Sequence, residues 1–169
     1  MVLRKNDPAS SQASHRSAGA RVLLLEAPYY AEIVEALAKG ALSVIAAAGA
    51  TAERLSVPGA LELPQALSAL IAADRIGRGA SARAYDGVAV LGCVIRGETA
   101  HYDVVVENAN HFLMQLAITY GVPLGNALLT VDTEAQAWAR AEADKGGDAA
   151  RACLRLIELE RSLGSGPRA

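Results

Sequence analysis

The residues able to do chemistry in this chain collect in a few short segments. The densest of these is Gly92-Cys93-Val94-Ile95-Arg96-Gly97-Glu98-Thr99-Ala100-His101-Tyr102-Asp103. It reads as a loop that leaves a buried strand and enters a helix. Gly97 permits a close backbone approach to a ligand or a turn with positive φ. Gly97-Glu98-Thr99 opens the helix, so backbone N–H groups and the Thr99 hydroxyl face outward, an arrangement suited to a phosphate. His101 falls in the first turn, where the helix dipole favours the neutral imidazole that proton shuttling requires. A lone histidine is more often a surface or capping residue. The setting of His101, after a buried strand and beside Gly97 and Thr99, favours proton transfer. His15 and His111 have no comparable setting.

A second segment, Val57-Pro58-Gly59-Ala60-Leu61-Glu62-Leu63-Pro64, pairs a tight turn with one carboxylate. Glu62, between two leucines, could accept hydrogen bonds from ligand hydroxyls or could favour the N-terminus of the next helix. Tyr29 follows the first apolar run and offers a flat ring for stacking on a planar ligand, although a single tyrosine there is more often a rim residue. Arg140 and Lys145 lie further along. Arginine suits phosphate oxygens, but isolated cations on helices are usually solvated, and spacing alone favours that plainer reading.

The elements that must position these residues follow from the apolar pattern. Val22 to Leu25 reads as a strand buried on both faces, and Ile33, Val34, Leu37, Ala41, Val44 and Ile45 recur at helical spacing up to a Gly49 cap. Arg54 to Val57 reads as a second strand, and a helix carrying Leu67, Leu70 and Ile71 ends near Gly77. A Gly/Arg/Ser/Ala linker covers 77–86. The strand Gly87 to Cys93 and a long helix from His101 to Tyr120 follow, broken by Gly121-Val122-Pro123. Ala127 to Val131 is a fourth strand, and Thr133 with Gln136 forms a capping box. Gly146-Gly147 is expected to separate that helix from a last one, Asp148 to Ser162. This β-α-β-α-β-α-β-α-α order predicts right-handed crossovers, a four-stranded parallel sheet and helices on both faces. Ligands of such sheets bind beyond the C-terminal ends of the strands, which is where the four segments above fall.

The whole chain narrows the classes further. Its 169 residues suit one domain. The net charge of -2 argues against nucleic acid as the main partner. No apolar run reaches membrane-span length uninterrupted. Cys93 and Cys153 fit no metal-ligand spacing and read as buried free thiols of a cytoplasmic protein. Residues 1–20, rich in Ser and Ala, read as a disordered tail, leaving 21–169 as a single α/β domain. Aromatics are only 4% of the chain, so part of the stability is expected from subunit contacts.

Three stretches together, in this order and spacing, resemble lumazine synthase, the 6,7-dimethyl-8-ribityllumazine synthase family. They are Val57 to Pro64, Gly92 to Asp103, and Leu129-Thr130-Val131-Asp132 with Glu134, Gln136 and Ala137. The resemblance covers roughly Arg21 to Ser162. It implies a flavodoxin-like three-layer sandwich and the penultimate step of riboflavin biosynthesis. In that step 5-amino-6-ribitylamino-uracil condenses with 3,4-dihydroxy-2-butanone 4-phosphate, without metal or cofactor. It also implies a homo-oligomer with sites shared between neighbouring subunits.

By the same resemblance, Tyr29 stacks on the pyrimidine, Ala60 and Leu61 contact it, and Glu62 takes ribityl hydroxyls. Cys93, Val94 and Ile95 present backbone to the pyrimidine. Glu98 and Thr99 form the phosphate side, with His101 as the proton-transfer residue. Arg140 matches the arginine that holds the phosphate, against the plainer reading of its spacing. Lys145 and Asp148 match a lysine and an acid near the site, and Asn126 a position reaching into a neighbour's site. This chain departs from the family pattern at Asn126, where many members carry an aromatic, and at Ala100, where many carry a hydroxyl. It is also shorter between Arg140 and Lys145 than shell-forming members, which implies a free pentamer or a pentamer dimer. The rival on the same fold is a flavin- or lumazine-binding protein without catalysis.

Overall fold

A computed structural model describes residues 17–164. Four strands, β1 (Arg21–Ala27), β2 (Thr51–Ser56), β3 (Gly87–Ile95) and β4 (Leu124–Val131), form one parallel sheet in the order β2-β1-β3-β4. The helices are α1 (Ala31–Ala47), α2 (Glu62–Ala72), α3 (His101–Tyr120), α4 (Glu134–Glu142) and α5 (Lys145–Gly164), with a short 3-10 turn at Pro28–Tyr30. The result is the expected three-layer α/β sandwich of flavodoxin-like order.

The strand pleat sends alternate residues to opposite faces, and the two cores follow from it. Val22, Leu24, Ala89, Leu91 and Leu129 pack under α1, α4 and α5. Leu23, Leu25, Val88, Val90 and Leu128 pack under α2 and α3. Both thiols are free and buried, as the sequence implies.

Helix ends follow the chemistry of their caps. Gly49 and Gly121 close α1 and α3 with positive φ of 68° and 61°. The Thr133 hydroxyl accepts from Gln136 N–H at 3.2 Å and caps α4. The Gln136 side chain then accepts from the N–H of Asp132 rather than from Thr133 itself, at 2.9 Å.

Several boundaries differ from the apolar pattern. Strand β2 begins at Thr51 instead of Arg54 because its extent is set by the backbone ladder to β1, from Arg21↔Thr51 to Glu26↔Ser56. It is an edge strand whose side chains are all exposed, so burial leaves no mark on its sequence. Its Arg54 clamps the buried Glu26 of β1 through two hydrogen bonds, at 2.7 and 3.0 Å. Strand β4 starts three residues earlier than the apolar run, and α2 ends at Ala72, short of Gly77.

The largest correction concerns Gly146-Gly147. They do not break a helix; they lie in the first turn of α5 and are buried. The break comes one residue before α5, at Asp144, with φ of 62°. A methyl group on Gly146 would overlap the Leu37 carbonyl, so Gly146 lets α5 pack against α1, while one on Gly147 would meet the Asp144 carboxylate. Of the expected tail, residues 1–16 lie outside the described residues. Ser17 is buried and donates to Glu158 at 2.5 Å, and Ala20 belongs to the core.

Candidate active site

The strand order places the first crossover on one side of β1 and the next on the other, so the β1/β3 boundary is the switch point where such sheets bind ligands. A hollow of about 370 Å³ opens there. Tyr29 and Tyr30 reach it from the turn after β1, and Gly59, Ala60, Leu61 and Glu62 from the turn after β2. Cys93, Val94 and Ile95 supply the end of β3, and Gly97, Thr99, His101, Tyr102 and Val105 the loop and first turns of α3.

Each wall has a local cause. Strand β3 runs buried to Cys93 and surfaces only at Val94 and Ile95, which brings backbone into the floor of the hollow. The turn after β2 is closed by the N–H of Glu62 donating to the Gly59 carbonyl at 3.2 Å. That turn folds the Glu62 carboxylate back over Gly59, and the carboxylate has no hydrogen-bond or ion-pair partner among the described residues. Helix α3 begins at His101, whose N–H lies 3.4 Å from the Thr99 hydroxyl. The exposed His101 ring likewise has no partner among the described residues. A polar group left unpartnered in a hollow is available to a ligand.

The hollow is largely apolar, with its polar groups at the rim. Tyr29 is 77% exposed, and its ring meets Tyr30 edge-on at 5.2 Å between centroids. Burial first, and then Tyr29, Cys93 and Glu134, hold the Tyr30 hydroxyl above its ordinary range, so it stays a neutral donor. Burial, with a smaller push from Glu134, raises the Cys93 thiol to about 11. A thiol raised in this way is mostly protonated at neutral pH and a weak nucleophile.

Gly97 differs from expectation in one respect. Its φ is not positive, and a methyl group built on it meets nothing within 4 Å. Among the described residues, no group of three or more His, Cys, Asp or Glu side chains is placed to hold a metal ion. No helix among them is long and apolar enough to cross a membrane.

The hollow therefore brings together Tyr29, Ala60, Leu61, Glu62, Cys93, Val94, Ile95, Thr99 and His101 from the sequence-derived set. Glu98 sits in the same loop without lining it. Asn126 lies on edge strand β4, donating to Asn110 at 2.8 Å. Arg140 is exposed on α4, and among the described residues its guanidinium donates to the Gln136 carbonyl at 3.3 Å. Lys145 and Asp148 pair with each other at 2.8 Å at the start of α5. None of these four lines the hollow of its own chain. Sequence reasoning missed Tyr30, Tyr102 and Val105. Val105 could have been found as the residue one helical turn beyond His101.

The family model described as 6,7-dimethyl-8-ribityllumazine synthase matches residues 19–161. A protein of that name from Rhodopseudomonas palustris (strain BisA53) is 47% identical over 153 residues, 88% of this chain and 91% of its own length. One from Nitrobacter hamburgensis is 48% identical, covering 86% of this chain and 88% of its own. One from Methylobacterium radiotolerans is 48% identical over 166 residues, 96% of each chain.

Proposed function

The chain belongs to the 6,7-dimethyl-8-ribityllumazine synthase family, and from that premise we propose how its residues divide the work of the reaction. The protein is a transferase of riboflavin biosynthesis. It condenses 5-amino-6-(D-ribitylamino)uracil with 3,4-dihydroxy-2-butanone 4-phosphate, releasing phosphate and water. The amine attacks the ketone and loses water to form a Schiff base, phosphate leaves, and ring closure with loss of a second water gives the lumazine. The protein contributes position, an anion site and proton transfer.

In this reading Tyr29 stacks on the pyrimidine, while Ala60, Leu61 and the backbone of Cys93 to Ile95 hold its edge. The partnerless Glu62 carboxylate accepts the ribityl hydroxyls. Glu98 and Thr99 form the phosphate side, and His101 moves the proton. The observation that carries the reading is the pairing in one hollow of two unsatisfied groups, the Glu62 carboxylate and the His101 ring. A pocket built only for storage has no use for the second.

The phosphate needs a cation, and among the described residues no Lys or Arg lines the hollow. Arg140, which has no carboxylate partner among the described residues, supplies it from a neighbouring subunit, with Lys145 and Asp148 beside it and Asn126 reaching across the same boundary. The assembly in this proposal is a pentamer, supported by the short connection from Arg140 to Lys145 and by the exposed Val104, Phe112 and Ile118 of α3. A cytoplasmic location belongs to the same reading, supported by the two free thiols.

Mixing the protein with both substrates and following lumazine absorbance tests the function. Multiple turnovers with one phosphate released per lumazine are expected. Stoichiometric binding of lumazine or flavin without turnover would replace catalysis with storage.

A further inference from the structure

Arg96 is the one cation in the loop between β3 and α3, yet it does not face the hollow. Its N–H donates to the Val131 carbonyl at 2.9 Å, so its backbone extends the β3–β4 ladder by one residue. Its guanidinium then meets three side chains. Nε reaches the Asp132 carboxylate at the end of β4 at 3.1 Å. A terminal nitrogen reaches Asp103 at 3.1 Å, and Cζ lies 4.0 Å above the Tyr102 ring. Tyr102 and Asp103 immediately follow His101 in the first turn of α3.

One side chain thus fastens both ends of the loop 97–101. The remaining hydrogen bonds of that loop are local, from His101 N–H to Thr99 and from Asp103 and Val104 N–H to Ala100. On the side where Gly97 would carry a side chain, nothing lies within 4 Å to brace it. With two carboxylates already on its charge, Arg96 has little left for a substrate anion, and its planar fork matches this stacked, two-acceptor arrangement in a way lysine cannot.

We propose that Arg96 is a positioning residue of the reaction, holding the His101 turn and the Glu98–Thr99 phosphate side in register with the end of β3. The proposal rests on the functional reading above, but its physical part can be read without turnover.

Two variants test it, Arg96→Met and Asp132→Asn, each measured by steady-state kinetics and by backbone amide exchange. Arg96→Met is expected to speed exchange over residues 97–103 and leave β3 unchanged. It should lower kcat on the order of 10-fold or more, as misplacement of a reacting group does. The KM for the phosphate-bearing substrate should rise, while the KM for the pyrimidine, held by the other walls, should stay within about twofold. Asp132→Asn should move the same quantities in the same direction, and Arg96→Lys should recover part of the loss.

Unchanged exchange in both variants would overturn the proposal, as would wild-type kinetic constants. A rise of both KM values together with a lowered Tm would make Arg96 merely structural. Tighter use of the phosphate substrate by Asp132→Asn would make Arg96 a ligand that the carboxylate restrains. Wild-type enzyme in the same assay keeps the parent reading separate. Absent turnover there with altered exchange in Arg96→Met would fail the function and leave the clamp standing.

Discussion

Glycine means opposite things in two regions of this molecule. Where α5 crosses α1 and β4, glycines mark contact so close that no side chain fits. A methyl on Gly146 would overlap the Leu37 carbonyl, and one on Gly125 the Ala149 carbonyl. At the ends of the strands, Gly97 faces open space. The first region is close-packed backbone against backbone; the second borders a hollow in which the Glu62 carboxylate and the His101 ring have no partner among the described residues. Close packing is concentrated on the α1/α5 face of the sheet, and open space lies at the strand ends around the hollow.

The contrast can be broken most forcefully at Gly146. Gly146→Ala pushes a methyl into backbone that cannot turn aside, and should cost about 3 kcal/mol. That is a fall in Tm on the order of 10 °C, readable by calorimetry. A Tm equal to wild type would mean that α5 and α1 sit too far apart for Gly146 to meet the Leu37 carbonyl.

The next effect is alkaline. Burial raises the Cys153 thiol to about 12, from 9.0 when solvated. The folded form therefore resists losing a proton that the unfolded chain gives up readily. The stability this provides is complete below pH 9 and is lost as the pH climbs towards 12. Urea midpoints should fall over that window, and less steeply in Cys153→Ala. Equal slopes in the two proteins would show that the thiol is not shut inside the core.

The smallest effect on stability is expected at Gly97. Gly97→Ala should leave the unfolding free energy within about 0.5 kcal/mol of wild type. Its new methyl enters the hollow, so the cost should appear as a raised KM for the phosphate-bearing substrate. A large loss of stability there would erase the distinction between the two regions.

The sequence made the architecture legible wherever burial is written in local pattern. The apolar runs of β1 and β3 and the helical spacing of α1 follow side-chain environment directly. β2 has no buried residue to announce it, and its start depends on pairing with β1. Gly146-Gly147 imitates a helix break because nothing nearby in sequence reveals that α1 passes alongside. At the site, the turns carrying Glu62 and His101 were legible from their position after strands. Tyr30 and Tyr102 were not, since a tyrosine beside a named residue carries no sign of which way it faces. The clamp of Arg96 on Asp132 joins residues from different strands and exists only in the folded chain.

The most direct test of the central claim is the turnover number of His101→Ala, measured on protein whose Tm and pyrimidine binding match wild type. Loss of one acid–base group from a site that otherwise still positions its substrates should lower kcat by roughly 10²–10⁴-fold without abolishing lumazine formation. A kcat indistinguishable from wild type would take proton transfer away from His101.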